Sequence, residues 1–424
     1  MARAFDRMDG EPLRSVLILV ENLPVPFDRR VWQEACALRD AGYIVSVICP
    51  TGTGCERRFE VIDDVFVYRY ALPVEASGAA GYLLEYGIAL TRTFWLTCRV
   101  WWTRGFDVIH ACNPPDLFFL IGALFKLVGK KFLFDHHDLN PELYVAKFGR
   151  RDLFHRLLLA FERLTFLTAD VTLATNESYR RIARERGRMD PARTFVVRSG
   201  PSLERMHIRP PDERLRHGRR YLVGYVGVIG EQEGIDDLLR AVSCIVHELG
   251  RLDIHFGLVG DGTALAAMKA LASELGVTDF VTFAGRAPDD TMLNVLNTAE
   301  VCVNPDKVNE MNDKSTMNKI MEYMALGKPI VQFDLREGRE SARHASLYAR
   351  PGDIRDFAEK LVTLLDDPRR RAAMGAYGRR RVLEELEWRH QIPSLLAAYD
   401  ALFAAGADEA QAEHLDRSDA PLPR

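Results

Sequence analysis

The sequence predicts an α/β protein built from two doubly wound, Rossmann-like domains in tandem. Short apolar runs recur with room for a helix between them, and amphipathic stretches fill those intervals. A Pro- and Arg-rich segment without periodicity, 204–220, separates two such series. Strands spaced by helices imply right-handed crossovers, hence parallel sheets covered on both faces. With 424 residues and 47% hydrophobic content, the chain can fill about two such cores.

In the first series, 16–20 reads as a buried strand, 30–41 as a helix closed by Gly42, and 44–49 as the next strand. Runs at 108–110, 131–134, 171–174 and 195–197 continue the pattern. The second series has strands at 221–226, 255–259, 281–283, 301–303 and 329–333. The expected division is a first domain over 1–203, a linker over 204–220 and a second domain over 221–385. A last helix over 386–404 is expected to pack back toward the first domain, followed by a frayed tail over 405–424. Open parallel sheets bind ligands at the carboxyl ends of their strands. Two such edges facing across a cleft would hold the chemistry.

Composition excludes several classes. A net charge of −4 provides no global field for nucleic acid. Seven cysteines, without a C-x-x-C pair or zinc-type spacing, point to a reduced, cytoplasmic protein. Residues 1–14 are charged and do not read as a signal peptide. No stretch reaches the roughly 20 apolar residues of a membrane span. Residues 82–102 are rich in apolar and aromatic residues, and 146–163 mixes Lys, Arg and His with Phe and Leu. Such a face suits either an anionic membrane surface, placing the protein at its inner face, or plain solvent.

The most informative stretch is Asn312-Asp-Lys-Ser-Thr-Met-Asn-Lys-Ile-Met-Glu-Tyr-Met-Ala-Leu-Gly-Lys-Pro-Ile-Val331. It reads as a polar loop, a helix over 316–326 capped by Thr316, a left-handed stop at Gly327 and a strand. The helix N-terminus, with N–H groups from Ser315 to Met317 and with Lys314 and Lys319 beside it, is suited to a phosphate. Glu322 lies two turns in, among Met, Ile, Tyr and Ala. Gly227 and Gly230 follow the first strand of the second series, and their N–H groups serve a turn or a ligand. Gly260 sits in another strand-end turn, and Arg286, at a third, suits a nucleotide or solvent.

In the first series Asp135-His-His-Asp138 directly follows a strand, so His137 and Asp138 are candidates for contact with a substrate hydroxyl. Asn113 lies in a second strand-end loop. Asp28 can cap the first helix, while Arg29 or Arg30 can meet an anion. No third ligand beside Asp135 and His137 is placed by the sequence, so no metal site is expected.

Taken together these blocks resemble the family 4 glycosyltransferases, which have the GT-B fold. The resemblance runs from Val16 to about Tyr399 and is most specific at 322–331, similar to the family's E-[AY]-M-A-x-G-x-P-[IV]-[IV] block. It implies that the second domain binds a nucleotide-diphosphate sugar and the first a glycan or lipid-linked acceptor hydroxyl. It implies further that Glu322 holds the donor ribose and that His137, rather than His136, contacts the donor sugar. Retention of configuration, with no metal or other cofactor, is also implied. Three positions depart from the family pattern. Lys314 stands where the E-x7-E motif has its first carboxylate, and Val228 and Glu233 stand near the usual phosphate-binding Arg and Lys. Lys314, helped by Lys319, is therefore the expected counter-charge for the departing diphosphate. A nucleotide-sugar epimerase of the same architecture and a non-catalytic sugar-nucleotide binder are the alternatives.

Overall fold

The computed structural model describes residues 14–71 and 78–404; the tail expected over 405–424 lies outside the described residues. The chain divides into two compact units. The first comprises Met1–Pro141, Arg150–Val197 and Ile392–Arg424, and the second Glu142–Gly149 and Arg198–Gln391.

The first unit holds β1 (Ser15–Leu19), β2 (Ile44–Pro50), β3 (Phe59–Ile62), β4 (Val65–Tyr70), β5 (Val108–Cys112), β6 (Lys131–His136), β7 (Val171–Ala174) and β8 (Thr194–Val196). Their order is β3-β4-β2-β1-β5-β6-β7-β8, parallel throughout except for β3 against β4. The central strands are buried, as expected for apolar runs covered on both faces. The hairpin β3–β4 is an unforeseen addition. β3 alternates exposed and half-buried residues and lacks the apolar run by which the other strands are found.

The second unit holds β9 (Tyr221–Val226), β10 (Ile254–Val259), β11 (Val281–Phe283), β12 (Val301–Asn304), β13 (Ile330–Phe333) and β14 (Ser346–Ala349). This sheet is wholly parallel, in the order β11-β10-β9-β12-β13-β14. In each sheet the strand order reverses beside its first strand, at β1/β5 and at β9/β12. Loops leaving neighbouring strands diverge at such points and open a crevice at the carboxyl edge.

Three expectations are corrected. Residues 204–220 are not a free linker. They lie inside the second unit, where Arg209 pairs with Asp290 at 2.7 Å and Arg216 with Glu300 at 2.6 Å. The expected helix over 386–404 is interrupted by a turn at Trp388–His390; a new helix runs over 392–404 within the first unit. The helix bearing Glu322 runs Asn318–Ala325, with Met317 at its N-cap and no side-chain cap bond. Thr316 is therefore not the cap, and Ser315 instead closes the short preceding helix Glu310–Lys314. Gly327 does take the left-handed conformation, at φ 67°.

Candidate functional site

Two polar clusters occupy the reversal points, one in each unit. In the second unit the loops after β9 and β10 are pressed together. Gly227 and Gly260 have φ values of 154° and 155°, and a Cβ on Gly260 would lie 1.8 Å from the Gly227 carbonyl oxygen. Gly260 is thus required by backbone packing, and Gly227 by its φ and by the Tyr225 hydroxyl 2.7 Å from where a Cβ would stand. Gly260→Ala should cost at least about 1–3 kcal/mol, the usual range for overpacking, read as a lower midpoint of thermal unfolding. Gly230 is different, because a Cβ there would meet only the flexible Glu233 carboxylate, 2.6 Å away.

The loop after β9 is also tied to the loop after β12. Lys307 N–H donates to the Gln232 carbonyl at 3.1 Å, and the buried Asn312 amide donates to the carbonyls of Gln232 (2.9 Å) and Lys307 (2.8 Å). From the helix Asn318–Ala325, the buried Tyr323 hydroxyl accepts from Val226 N–H at 2.9 Å, fixing that helix to the end of β9. Lys319 projects into the same place. Its ammonium donates to Asp306 at 2.7 Å and lies 5.1 Å from the Tyr225 ring centroid. Burial works against that charge, but Asp306, Tyr225 and Glu233 outweigh it and hold the lysine above its ordinary range. Burial pushes the Glu233 carboxyl up, against the pull of Lys319.

Glu322 accepts from Arg205 at 2.9 Å, and Arg205 also grips Asp289 at 2.6 and 3.1 Å. Lys314 is shared between Glu310 at 2.7 Å and Glu142 at 3.4 Å. Ser315 is buried, its hydroxyl donating to the Met311 carbonyl at 2.8 Å, and Thr316 is half-buried. Arg286 is exposed just beyond Gly285, whose carbonyl accepts from Gly260 N–H at 2.9 Å. Gly227, Gly230, Gly260 and Lys319 are thus brought together, with Glu322 one helical turn beyond Lys319. Sequence reasoning missed Arg205, Asp306 and Asn312. Arg205 meets Glu322 and Asn312 meets Gln232 far along the chain, and the pairing of Asp306 with Lys319 spans two elements.

In the first unit, Asp135 on β6 is fully buried and gripped by Arg30 through Nη2–Oδ1 at 2.8 Å and Nε–Oδ2 at 3.2 Å. Arg30 also donates to the Val197 carbonyl at 2.7 Å and pairs with Glu34 at 3.1 Å. Burial opposes the Asp135 charge, but Arg30 and His137 hold its carboxyl well below the usual range. Burial pushes Glu34 well above the usual range despite Arg30. His110 donates to or accepts from the Tyr399 hydroxyl at 2.9 Å, and burial lowers its pKa.

His137 Nε2 contacts Asp135 Oδ2, and the side chain keeps 14% exposure. Its backbone N–H, with that of Asp138, donates to Asn113 Oδ1 at 2.7 and 3.1 Å. Asn113 in turn donates to Asp116, whose carboxyl is pushed up to about 6 by burial, against the hydrogen bonds from Asn140 and Asn113. His136 points into the core among Phe134, Phe166 and Tyr179, with its pKa lowered to about 3 by burial and by Arg186. Of the two histidines, His137 is the one at the surface. Asp28 caps the first helix, accepting from Val31 N–H at 3.1 Å, and Arg29 is exposed while Arg30 enters the cluster. Glu34, Cys112, Asp135 and His137 have ligand-type atoms within 4.8 Å of one another. The Arg30 guanidinium bonds Glu34 and Asp135 and lies 2.9 Å from the His137 ring, so a cation already sits among them and the set does not fit a metal.

Two parallel-sheet α/β units, each with a polar cluster at the carboxyl edge of its reversal point, define the GT-B architecture of glycosyltransferases. The family described as Glycosyl transferases group 1 matches residues 220–367, and the Glycosyl transferase 4-like domain matches 28–200. The chain belongs to the family 4 GT-B glycosyltransferases and is a glycosyltransferase. The 2-deoxystreptamine glucosyltransferase of Streptomyces kanamyceticus is 26% identical over 65% of this chain and 72% of its own. A GDP-mannose-dependent monoacylated alpha-(1-6)-phosphatidylinositol monomannoside mannosyltransferase of Corynebacterium glutamicum is 30% identical over 37% of this chain and 41% of its own. Sucrose-phosphate synthase from Thermosynechococcus elongatus shares the fold with a TM-score of 0.77 at 20% identity, covering 92% of this chain and 100% of its own. Anabaena HepE in complex with UDP and glucose does so with a TM-score of 0.69 at 15% identity, covering 91% of this chain and 99% of its own.

Proposed function

We propose that the protein transfers a sugar from a nucleotide-diphosphate sugar to a hydroxyl of a glycan or lipid-linked acceptor, with retention and without a metal. The observation that carries this reading is the cluster at the β9/β12 reversal point. There the Gly227 and Gly230 loop, Lys319 and Glu322 come together beside the point where the strand order reverses. Relatives that use GDP-mannose and a neighbour bound to UDP and glucose support a nucleotide-sugar donor. In this reading Glu322 orients the ribose and Lys319 meets the charge that grows on the departing diphosphate. Lys314 takes the smaller part, because two carboxylates already share its ammonium. Ser315, Thr316 and Arg286 line the donor side. Asp28, Arg29, Asn113 and Asp138 belong to the acceptor side, Asn113 and Asp138 as the turn that presents His137. Neither the epimerase nor the non-catalytic binder is favoured.

A lipid-linked acceptor is supported by the surface of the first unit. The helices Gly78–Thr103, Phe119–Lys126 and Leu153–Thr168 pack side by side through Trp101–Phe125 and Phe119–Phe161 contacts. At the ends of these helices Trp102, Leu127 and Leu153 are 86%, 83% and 80% exposed. Such large apolar side chains, with Arg150, Arg151 and Arg156 flanking Leu153 in sequence, suit an anionic bilayer surface. No helix among the described residues is long and apolar enough to cross a membrane.

One assay tests both parts. Purified protein is offered UDP- and GDP-sugars, with and without membrane lipid extract, and nucleotide release and labelled glycolipid are scored. Lipid-dependent release is expected. Trp102→Ser with Leu127→Ser should lower co-sedimentation with anionic vesicles at least tenfold. Release that is independent of any acceptor for every donor would refute transfer, and vesicle binding unchanged in the double variant would refute the membrane face.

A further inference from the structure

Beyond the Arg30–Asp135 pair, the cluster under His137 dictates where the protons of the imidazole sit. Arg30, Glu34, His110 and Asp135 are buried, and His137 alone among these groups reaches the surface. Asp135 faces the Arg30 guanidinium, which holds its carboxyl well below the usual range, while burial pushes Glu34 up and His110 down. His137 Nε2 lies in hydrogen-bond contact with Asp135 Oδ2. Two lone pairs facing each other at that separation would repel, so a proton lies between them, and an ionised carboxylate can only accept. Arg30 Nε lies 2.9 Å from the same ring nitrogen and 3.2 Å from Asp135 Oδ2. Once Nε2 carries its proton it cannot accept, and the Arg30 Nε–H is directed to the carboxylate. The proton on one ring nitrogen is set by the partner it meets, and the other nitrogen is left with its lone pair.

We infer that Asp135, clamped by Arg30, is a positioning residue that fixes His137 as its Nε2–H tautomer and leaves Nδ1 as a hydrogen-bond acceptor for a substrate hydroxyl. Asn113 completes the device by holding the His137 backbone N–H, so that the ring has one orientation as well as one tautomer. The role of Nδ1 toward substrate rests on the reading of His137 as a site residue; the tautomer does not.

The test is nitrogen-15 NMR of the full-length protein with labelled histidine, using two-bond correlations that distinguish Nδ1–H from Nε2–H. Wild-type His137 in its neutral form is expected as Nε2–H. In Asp135→Asn, whose amide no longer offers a charged acceptor, a substantial Nδ1–H population should appear. The kcat of that variant should fall at least 100-fold, with the donor KM changed less than threefold. A merely structural role would lower stability and leave the tautomer alone. Nδ1–H in the wild type, or an unchanged tautomer in folded Asp135→Asn, would overturn the inference. Because the wild-type spectrum is informative by itself, a variant that does not fold leaves the question decidable. An inactive wild type with the Nε2–H tautomer intact would count against the glycosyl-transfer reading of this site and for the positioning of the ring.

Discussion

Replacing Lys319 with Ala is expected to lower turnover by about 10²–10³-fold, the range seen when one preorganised charge-stabilising donor is removed. The size follows from the surroundings of the ammonium. Lys319 is the cation among Tyr225, Glu233 and Asp306, and it is held there by Asp306 at 2.7 Å. A diphosphate entering beside Gly227 and Gly230 would otherwise meet two carboxyl groups with no opposing charge. Lys319→Arg should recover little, because the planar fork does not reproduce a compact charge wedged against the Tyr225 ring. Lys314→Ala should cost less than tenfold, since that ammonium is already divided between Glu310 and Glu142. Steady-state kinetics with a saturating acceptor would decide. If Lys314→Ala is the more damaging of the two, the assignment of the phosphate-facing cation is reversed.

The largest stability effect is expected at Arg30. Arg30→Ala strands the ionised Asp135 in a fully buried place, and breaking such a pair from one side costs about 3–5 kcal/mol. For a unit of this size that corresponds to a fall of roughly 6–20 °C in unfolding midpoint. The double change Arg30→Met with Asp135→Leu should be milder than Arg30→Ala alone, because no charge is then left without a partner. Equal losses in the two variants, by calorimetry, would show that packing and not charge dominates there.

Much of this arrangement was legible in the chain itself. Apolar runs such as β1 and β10 are continuous because parallel strands are covered on both faces, and each run marks its strand directly. Asp28 and Gly327 act locally, one through its own carboxylate three residues on and the other through its own φ, so both could be read in place. Glu322 and His137 were legible through the resemblance of their surroundings to known blocks. What escaped depends on contacts far along the chain. Arg29 and Arg30 are adjacent and chemically alike. One residue of helical rotation, about 100°, sends the first to solvent and the second to Asp135, more than a hundred positions away. Arg205 and its neighbours read as a linker because they are polar and aperiodic, yet their charges are spent on Asp289 and Glu322. The cap assigned to Thr316 missed by one residue because a short helix ending at Lys314 displaces the start of the next.

The helix over 392–404 contributes Leu395, Ala398, Tyr399 and Leu402 to the interior of the first unit, and Tyr399 reaches His110. On a ribosome, therefore, the first unit must wait for residues translated after the bulk of the second unit. Its strands can pair early, but its interior stays open until the whole second unit has emerged. Of the two units, the one begun earlier is completed later.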